Sequence, residues 1–151
     1  MKKIFFIVTL FLILVFTLEA NVDNISSLFA RYLVEVHKID NPPNDQTYIV
    51  INLQSCPSCI PAYYSELEKI YTDKKRKFYP SLIVVGNIKN PPEWFVGLAE
   101  SHKNIYYDSR GFYNRINVTP NTCGVVVIKN GSITSKSIID FRNYKVIFEK
   151  I

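Results

Sequence analysis

Hydrophobic and polar positions follow two different periods along this chain. From residue 24 to 38, Ile25, Leu28, Phe29, Tyr32, Leu33 and Val36 recur at helical spacing. With Asp23 or Asn24 available as the cap, this predicts an amphipathic helix. Asn41-Pro42-Pro43-Asn44-Asp45 ends it and makes a loop. The next segment, Thr47-Tyr48-Ile49-Val50-Ile51-Asn52-Leu53, is a continuous β-rich apolar run, as expected for a central strand buried on both faces.

Helical spacing returns after residue 56 and runs to about residue 74, with Tyr63, Leu67, Ile70 and Tyr71 on one face. Pro80 introduces a second buried strand, Ser81 to Gly86. Pro91-Pro92-Glu93-Trp94 opens another helix, proline being suited to a first turn. That helix carries Trp94, Phe95, Leu98 and Ala99 inward and stops near His102. Residues 105–108 read as a short strand, 110–116 as a short helix and 123–128 as a strand. Lys129-Asn130-Gly131-Ser132 reads as a hairpin turn with Asn-Gly in its favoured place. The return strand is 133–139, and residues 141–151 are expected to form a last helix. Alternating strands and helices that end in a hairpin imply an α/β fold, a central mixed sheet with helices on both faces.

The first twenty residues stand apart. Lys2 and Lys3 precede an apolar run from Ile4 to Phe16, and Thr17-Leu18-Glu19-Ala20 places a small residue where a signal peptidase could cut. This is the layout of an export signal, and the run is shorter than the ~20 residues of a spanning helix. An uncleaved amino-terminal anchor is the rival reading. No Cys follows the run, so a lipoprotein anchor is not expected there. Either way the body of the protein is expected outside the cytoplasm, in the periplasm or on the outer cell surface.

Composition adds bounds. With 151 residues, 48% of them hydrophobic and 21% charged, the chain can build one domain with a real core. Losing Lys2, Lys3 and Glu19 with the signal lowers the formal charge from +5 to +4. Much of that excess is the run Lys74-Lys75-Arg76-Lys77, read as a solvated helix end whose cations offset the dipole. No aromatic residues interleave with basic ones around it, so nucleic acid is not expected as a partner.

The candidate chemistry is in the cysteines, of which there are three. A disulfide-stapled mini-domain would carry more, in even number. Cys56-Pro57-Ser58-Cys59 lies between a strand and a helix. The first Cys then falls at a helix amino terminus, where unpaired N–H groups and the dipole favour an anion. Cys56 is therefore expected to be the nucleophilic thiolate. Cys59, one turn later, can reach back and release a mixed disulfide. Pro57 has no N–H to lose and fixes the first turn, and Ser58 leaves the site small and uncharged. Zinc or copper binding by Cys56 and Cys59 with further ligands is an alternative, although Cys123, His37 and His102 show no paired spacing. A purely structural disulfide is another, in a loop too short to stabilise much.

Ile49 through Cys59 resembles the strand and active-site turn of the thioredoxin superfamily. Asp108-Ser109-Arg110-Gly111 through Val118-Thr119-Pro120, then Val125 through Gly131, resembles its second half. The helix and strand between residues 91 and 108 are similar to those of the exported TlpA/ResA branch and of peroxiredoxins. The resemblance covers residues 47–139 and implies a thioredoxin-like domain over 47–151, with a helix and loop at 21–46 before it. It further implies that Thr119-Pro120 is the cis-proline loop facing the cysteines, where substrate chains pair as an added strand, an ordinary trans Pro opening a strand being the less favoured alternative.

The sequence departs from the family pattern in two places. Ser55 stands where Trp usually precedes the first Cys. Tyr64 replaces the Pro that usually kinks the active-site helix, with Pro61 closer instead.

These readings together give an exported thiol–disulfide oxidoreductase with a redox-active Cys56–Cys59 pair, acting on protein thiols and disulfides and on an upstream redox donor or acceptor. A monomer without cofactor or metal is expected, touching a membrane only through an uncleaved leader. A non-enzymatic metal chaperone or adaptor of the same fold is the alternative. A thiol peroxidase is less favoured, because no Thr or Arg neighbours Cys56. Cys123 is expected to be a buried core thiol, with a third redox thiol as the sharper reading. His37 and His102 are expected on the surface, Trp94 between helix and sheet, Tyr63 in the core and Tyr64 on the rim.

Overall fold

Two buried runs of alternating side chains divide the molecule into two cores. The computed structural model describes residues 24–86 and 89–151. The expected export signal lies outside the described residues. Strand β1, Gln46–Asn52, sends Ile49 and Ile51 to one core and Tyr48 and Val50 to the other. Strand β2, Ser81–Val85, does the same with Leu82 and Val84 against Ile83 and Val85. Because side chains in a strand point to opposite faces in turn, a run that is apolar throughout needs cover on both sides.

That cover is helical. Helix α1, residues 24–37, lays Phe29, Tyr32 and Leu33 on one face. The other face receives Tyr63, Leu67, Ile70 and Tyr71 of helix α2 (Ile60–Thr72), Phe95 and Leu98 of helix α3 (Glu93–Ser101), and Phe148 of helix α4 (Tyr144–Lys150). The inward residues of α2 are those its spacing predicts. The sheet is completed by β3 (Ile105–Asp108), β4 (Cys123–Lys129) and β5 (Ser132–Ile139), in the order β3-β2-β1-β4-β5. Strands β1, β2 and β3 run parallel, whereas β4 is antiparallel to β1 and β5 to β4. The result is the expected α/β architecture, a mixed sheet with helices on both faces, compatible with a thioredoxin-like fold.

Asn130 and Gly131 join β4 to β5 with φ values of 52° and 76°. Two successive left-handed residues are what a type I′ turn requires, which is why Asn-Gly marks it so well. Three details differ from expectation. The helical segment after Cys56 opens as a 3-10 turn, Pro57–Cys59, before α2 begins. Residues 112–115 also form a 3-10 turn rather than an α-helix. The basic run 74–77 lies beyond the end of α2, in a mostly exposed turn whose Lys75 N–H donates to the Asp73 carboxylate at 3.0 Å. Among the described residues no helix is long and apolar enough to cross a membrane.

The topology brings four chain segments to one edge of the sheet. The turn carrying Cys56 leaves the end of β1, Gly86 follows β2, Asp108 ends β3, and the segment at Thr119 leads into β4. Such an edge, at the carboxyl ends of parallel strands, is where open α/β sheets place their sites.

Candidate active site

Asn52, the last residue of β1, controls how the chain leaves the sheet. Its side chain is buried although it is amide, and every polar atom of it is used. Nδ2 donates to Asn114 Oδ1 at 2.9 Å and Oδ1 accepts from Gln54 N–H at 3.1 Å. Its carbonyl accepts from both the N–H and the hydroxyl of Ser55, at 3.1 and 3.0 Å. A tight turn over 52–55 results, and it delivers Cys56 in an extended conformation (φ −157°) to the head of the 3-10 turn.

There Cys56 and Cys59 are joined as a disulfide with their α-carbons 5.3 Å apart. Cys59 N–H donates to the Cys56 carbonyl at 2.9 Å, closing the turn. Pro57 and Pro61 sit in the first turns of the 3-10 segment and of α2, where a missing N–H costs nothing. The two sulfurs differ in access. Cys59 is 5% exposed and belongs to the core under α2, whereas Cys56 is only partly buried, with Ser58 Oγ 3.6 Å from its sulfur. An incoming thiol or disulfide therefore meets Cys56 first.

Cys123, the first residue of β4, is a free thiol and 1% exposed. Its sulfur lies 3.3 Å from Asn52 N and 3.2 Å from Ser55 Oγ. Burial pushes this thiol's pKa up, and the hydrogen bonds with Ser55 and Asn52 offset that in part. The position that usually carries Trp in the resembling family thus holds a serine in contact with a third cysteine.

The Thr119-Pro120 expectation needs correction. No cis peptide bond occurs among the described residues, so this bond is trans. Thr122 N–H donates to the Thr119 carbonyl at 3.4 Å, and Asn121 takes a left-handed φ of 53°. Proline at the second position and a left-handed residue at the third is the pattern of a type II turn, which a trans Pro serves. Thr119 itself is buried, its hydroxyl 2.9 Å from Tyr113 OH, while Pro120 is exposed. Gly124 fits because a Cβ there would meet Ser137 O and Thr119 Cγ2 at 2.9 Å.

A buried polar chain on the opposite face of the sheet went unread in the sequence. The Asp108 carboxylate accepts from Tyr113 N–H at 2.8 Å, from Tyr32 OH at 3.2 Å and from Arg110 N–H at 3.2 Å. Tyr32 OH is also 2.9 Å from His37 Nε2. The chain therefore passes from His37 through α1 to Asp108, and from Tyr113 on to Thr119. An aspartate closing an otherwise apolar strand was the available signal. His37 and His102 are not surface residues, as expected, but half-buried ones. His37 stands between the Tyr32 and Tyr106 rings, and His102 between those of Tyr71 and Tyr79. Burial lowers the His37 pKa to about 4.

Tyr63 is core and Tyr64 is at the rim, as the helical spacing implies. Trp94 leans on Tyr64, ring centres 5.3 Å apart, so it fills the α2–α3 seam while Phe95 reaches the sheet at Tyr107. Among the described residues no three His, Cys, Asp or Glu side chains gather closely enough to hold a metal ion. In comparisons with known proteins, no family model matches this chain and no curated protein matches it.

Proposed function

We propose that this chain is an exported thiol–disulfide oxidoreductase of thioredoxin-like type that reduces or exchanges disulfides of extracytoplasmic proteins through Cys56 and Cys59. The observation carrying this reading is the asymmetric pair, one sulfur accessible and one buried, at the head of a helix and on a sheet edge. Attack is thereby directed to Cys56, and the leaving sulfur is one the core holds in place. Export is supported by the Lys2-Lys3 start and the apolar run behind it.

In the reducing direction, the Cys56 thiolate attacks one sulfur of a substrate disulfide. A Cys56–substrate bond forms and the other substrate sulfur leaves with the electron pair, taking a proton from solvent. Cys59, deprotonated, then attacks Cys56 Sγ, closing the intramolecular disulfide and releasing the second substrate thiolate. Two electrons have passed to the substrate, and an external dithiol donor returns the pair to its reduced form.

The test is reduction of a protein disulfide, such as that of insulin, by the full chain with dithiothreitol as the electron source. The wild type should exceed the uncatalysed rate about tenfold or more, and Cys56→Ser should fall back to it. A wild type no faster than Cys56→Ser would overturn the reading.

A further inference from the structure

Strand β4 begins one residue too late to pair the end of β1 by backbone. The last backbone partners are Val50 and Gly124, and the chain before Cys123 is already turning through Thr119–Thr122. Asn52 N–H, which would face β4, meets the Cys123 sulfur instead, at 3.3 Å. The remaining contacts form a ring. Asn52 N–H donates to Cys123 Sγ, the sulfur and Ser55 Oγ share a 3.2 Å contact in which either can donate, and the sulfur also lies 3.6 Å from the Asn52 carbonyl. Ser55 O–H donates to the Asn52 carbonyl at 3.0 Å. The Asn52 carbonyl also accepts from Ser55 N–H at 3.1 Å, and hydrogen bonds so linked strengthen one another.

We propose that Cys123 is a positioning residue for the Cys56–Cys59 reaction, its reduced thiol tying the 52–55 turn to β4 so that Cys56 is held over Cys59. This rests on the redox reading above and assigns Cys123 a place in it other than that of a third redox thiol. As a thiol the sulfur can both accept from Asn52 N–H and donate within the ring. Burial at 1% exposure, which disfavours the thiolate, keeps the sulfur protonated and also shuts out attacking disulfides. Ser55 acquires a purpose as well, since a Trp at that position would have no hydroxyl to close the ring.

The consequence is an effective concentration. A turn held in one geometry presents Cys56 to Cys59 more often than a loose one, so the intramolecular disulfide is favoured over mixed disulfides. Loosening the turn should make the pair more oxidising.

The experiment equilibrates the full chain with glutathione and glutathione disulfide and measures the oxidised fraction for wild type, Ser55→Ala, Cys123→Ala and Cys123→Ser. Ser55→Ala and Cys123→Ala should each lower the equilibrium constant for forming the Cys56–Cys59 disulfide by about threefold or more, ~14 mV for this two-electron couple. The double variant should fall no further than either single one, because both break the same ring. Cys123→Ser, whose hydroxyl can accept from Asn52 and donate to Ser55, should stay near the wild type. A core defect alone would lower the unfolding midpoint of Cys123→Ala and leave its equilibrium constant unchanged.

The inference is overturned if Ser55→Ala leaves the constant unchanged, or if Cys123→Ser shifts it as much as Cys123→Ala. It is overturned equally if peptide mapping of partly oxidised wild type finds Cys123 in a disulfide. Ser55→Ala, at the exposed turn, keeps the test decisive should Cys123→Ala fail to fold. A wild type that never equilibrates with glutathione would instead sink the redox reading itself.

Discussion

Single residues at this site do what their burial permits. Cys56 and Cys59 have the same chemistry, yet one is partly exposed and the other lies in the core, and in the exchange reaction we propose that difference orders the two steps. Burial also acts on His37, whose imidazole is pressed between Tyr32 and Tyr106 and whose pKa is lowered to about 4. A histidine of the unfolded chain titrates near pH 6.5. Between pH 6.5 and 4 the unfolded chain therefore binds a proton that the folded one does not, so stability falls as pH falls through that window and levels off below it. The expected loss attributable to His37 is at most about 3 kcal/mol. Urea unfolding at pH 7 and pH 4.5, compared between wild type and His37→Gln, checks this. The variant should lose less stability than the wild type on acidification, and parallel curves would contradict the assignment. The Cys-x-x-C motif and the inward residues of α2 were legible because spacing alone defines them. The roles of Asn52, Ser55 and Asp108 were not, because each depends on a partner from a distant part of the chain. Asn52 meets Asn114, Ser55 meets Cys123, and Asp108 meets Tyr32.

At the scale of elements, the strands were readable to within a residue or two, since continuous apolar runs bounded by Pro, Gly and Asn leave little freedom. The Thr119-Pro120 turn was not. A proline before a buried strand is consistent with either isomer, and what decides is the left-handed Asn121 and the Thr122-to-Thr119 hydrogen bond, which make a trans turn. Helix α1 was legible as an amphipathic helix, but its periodicity carried no information about which surface it covers. The structure sets Phe29 fully buried against Tyr48 and Tyr113, 5.2 and 6.2 Å between ring centres, in both cases edge to face. Tyr48 comes from the central strand and Tyr113 from the turn that holds Thr119, so α1 supports the sheet edge from behind. Phe29→Ala should cost about 3–5 kcal/mol, the loss of a large ring plus the cavity it leaves. Chemical denaturation followed by the fluorescence of Trp94, which lies on the opposite side of the sheet, should report that cost in a single transition. An unchanged midpoint would show that α1 is not integral to the folded unit.

For the whole molecule, the central sheet keeps two cores apart and gathers the chemistry at one edge. The α2–α3–α4 side holds Cys59 and Cys123, the α1 side holds the Asp108 and Tyr113 network, and the turns after β1 and before β4 link them. This division explains why the site tolerates a serine before its first cysteine, since the turn is tied down by side chains from β4 and from residue 114 rather than by a large ring. It also leaves one sulfur, that of Cys56, partly exposed. The most direct measurement is a trapping experiment with Cys59→Ser, which removes the thiol that resolves the mixed intermediate. Reduced full chain carrying that change is mixed with an oxidised protein substrate, alkylated, and mapped by mass spectrometry. A stable mixed disulfide at Cys56 is predicted, absent from Cys56→Ser. No adduct, or one carried by Cys123, would contradict the account.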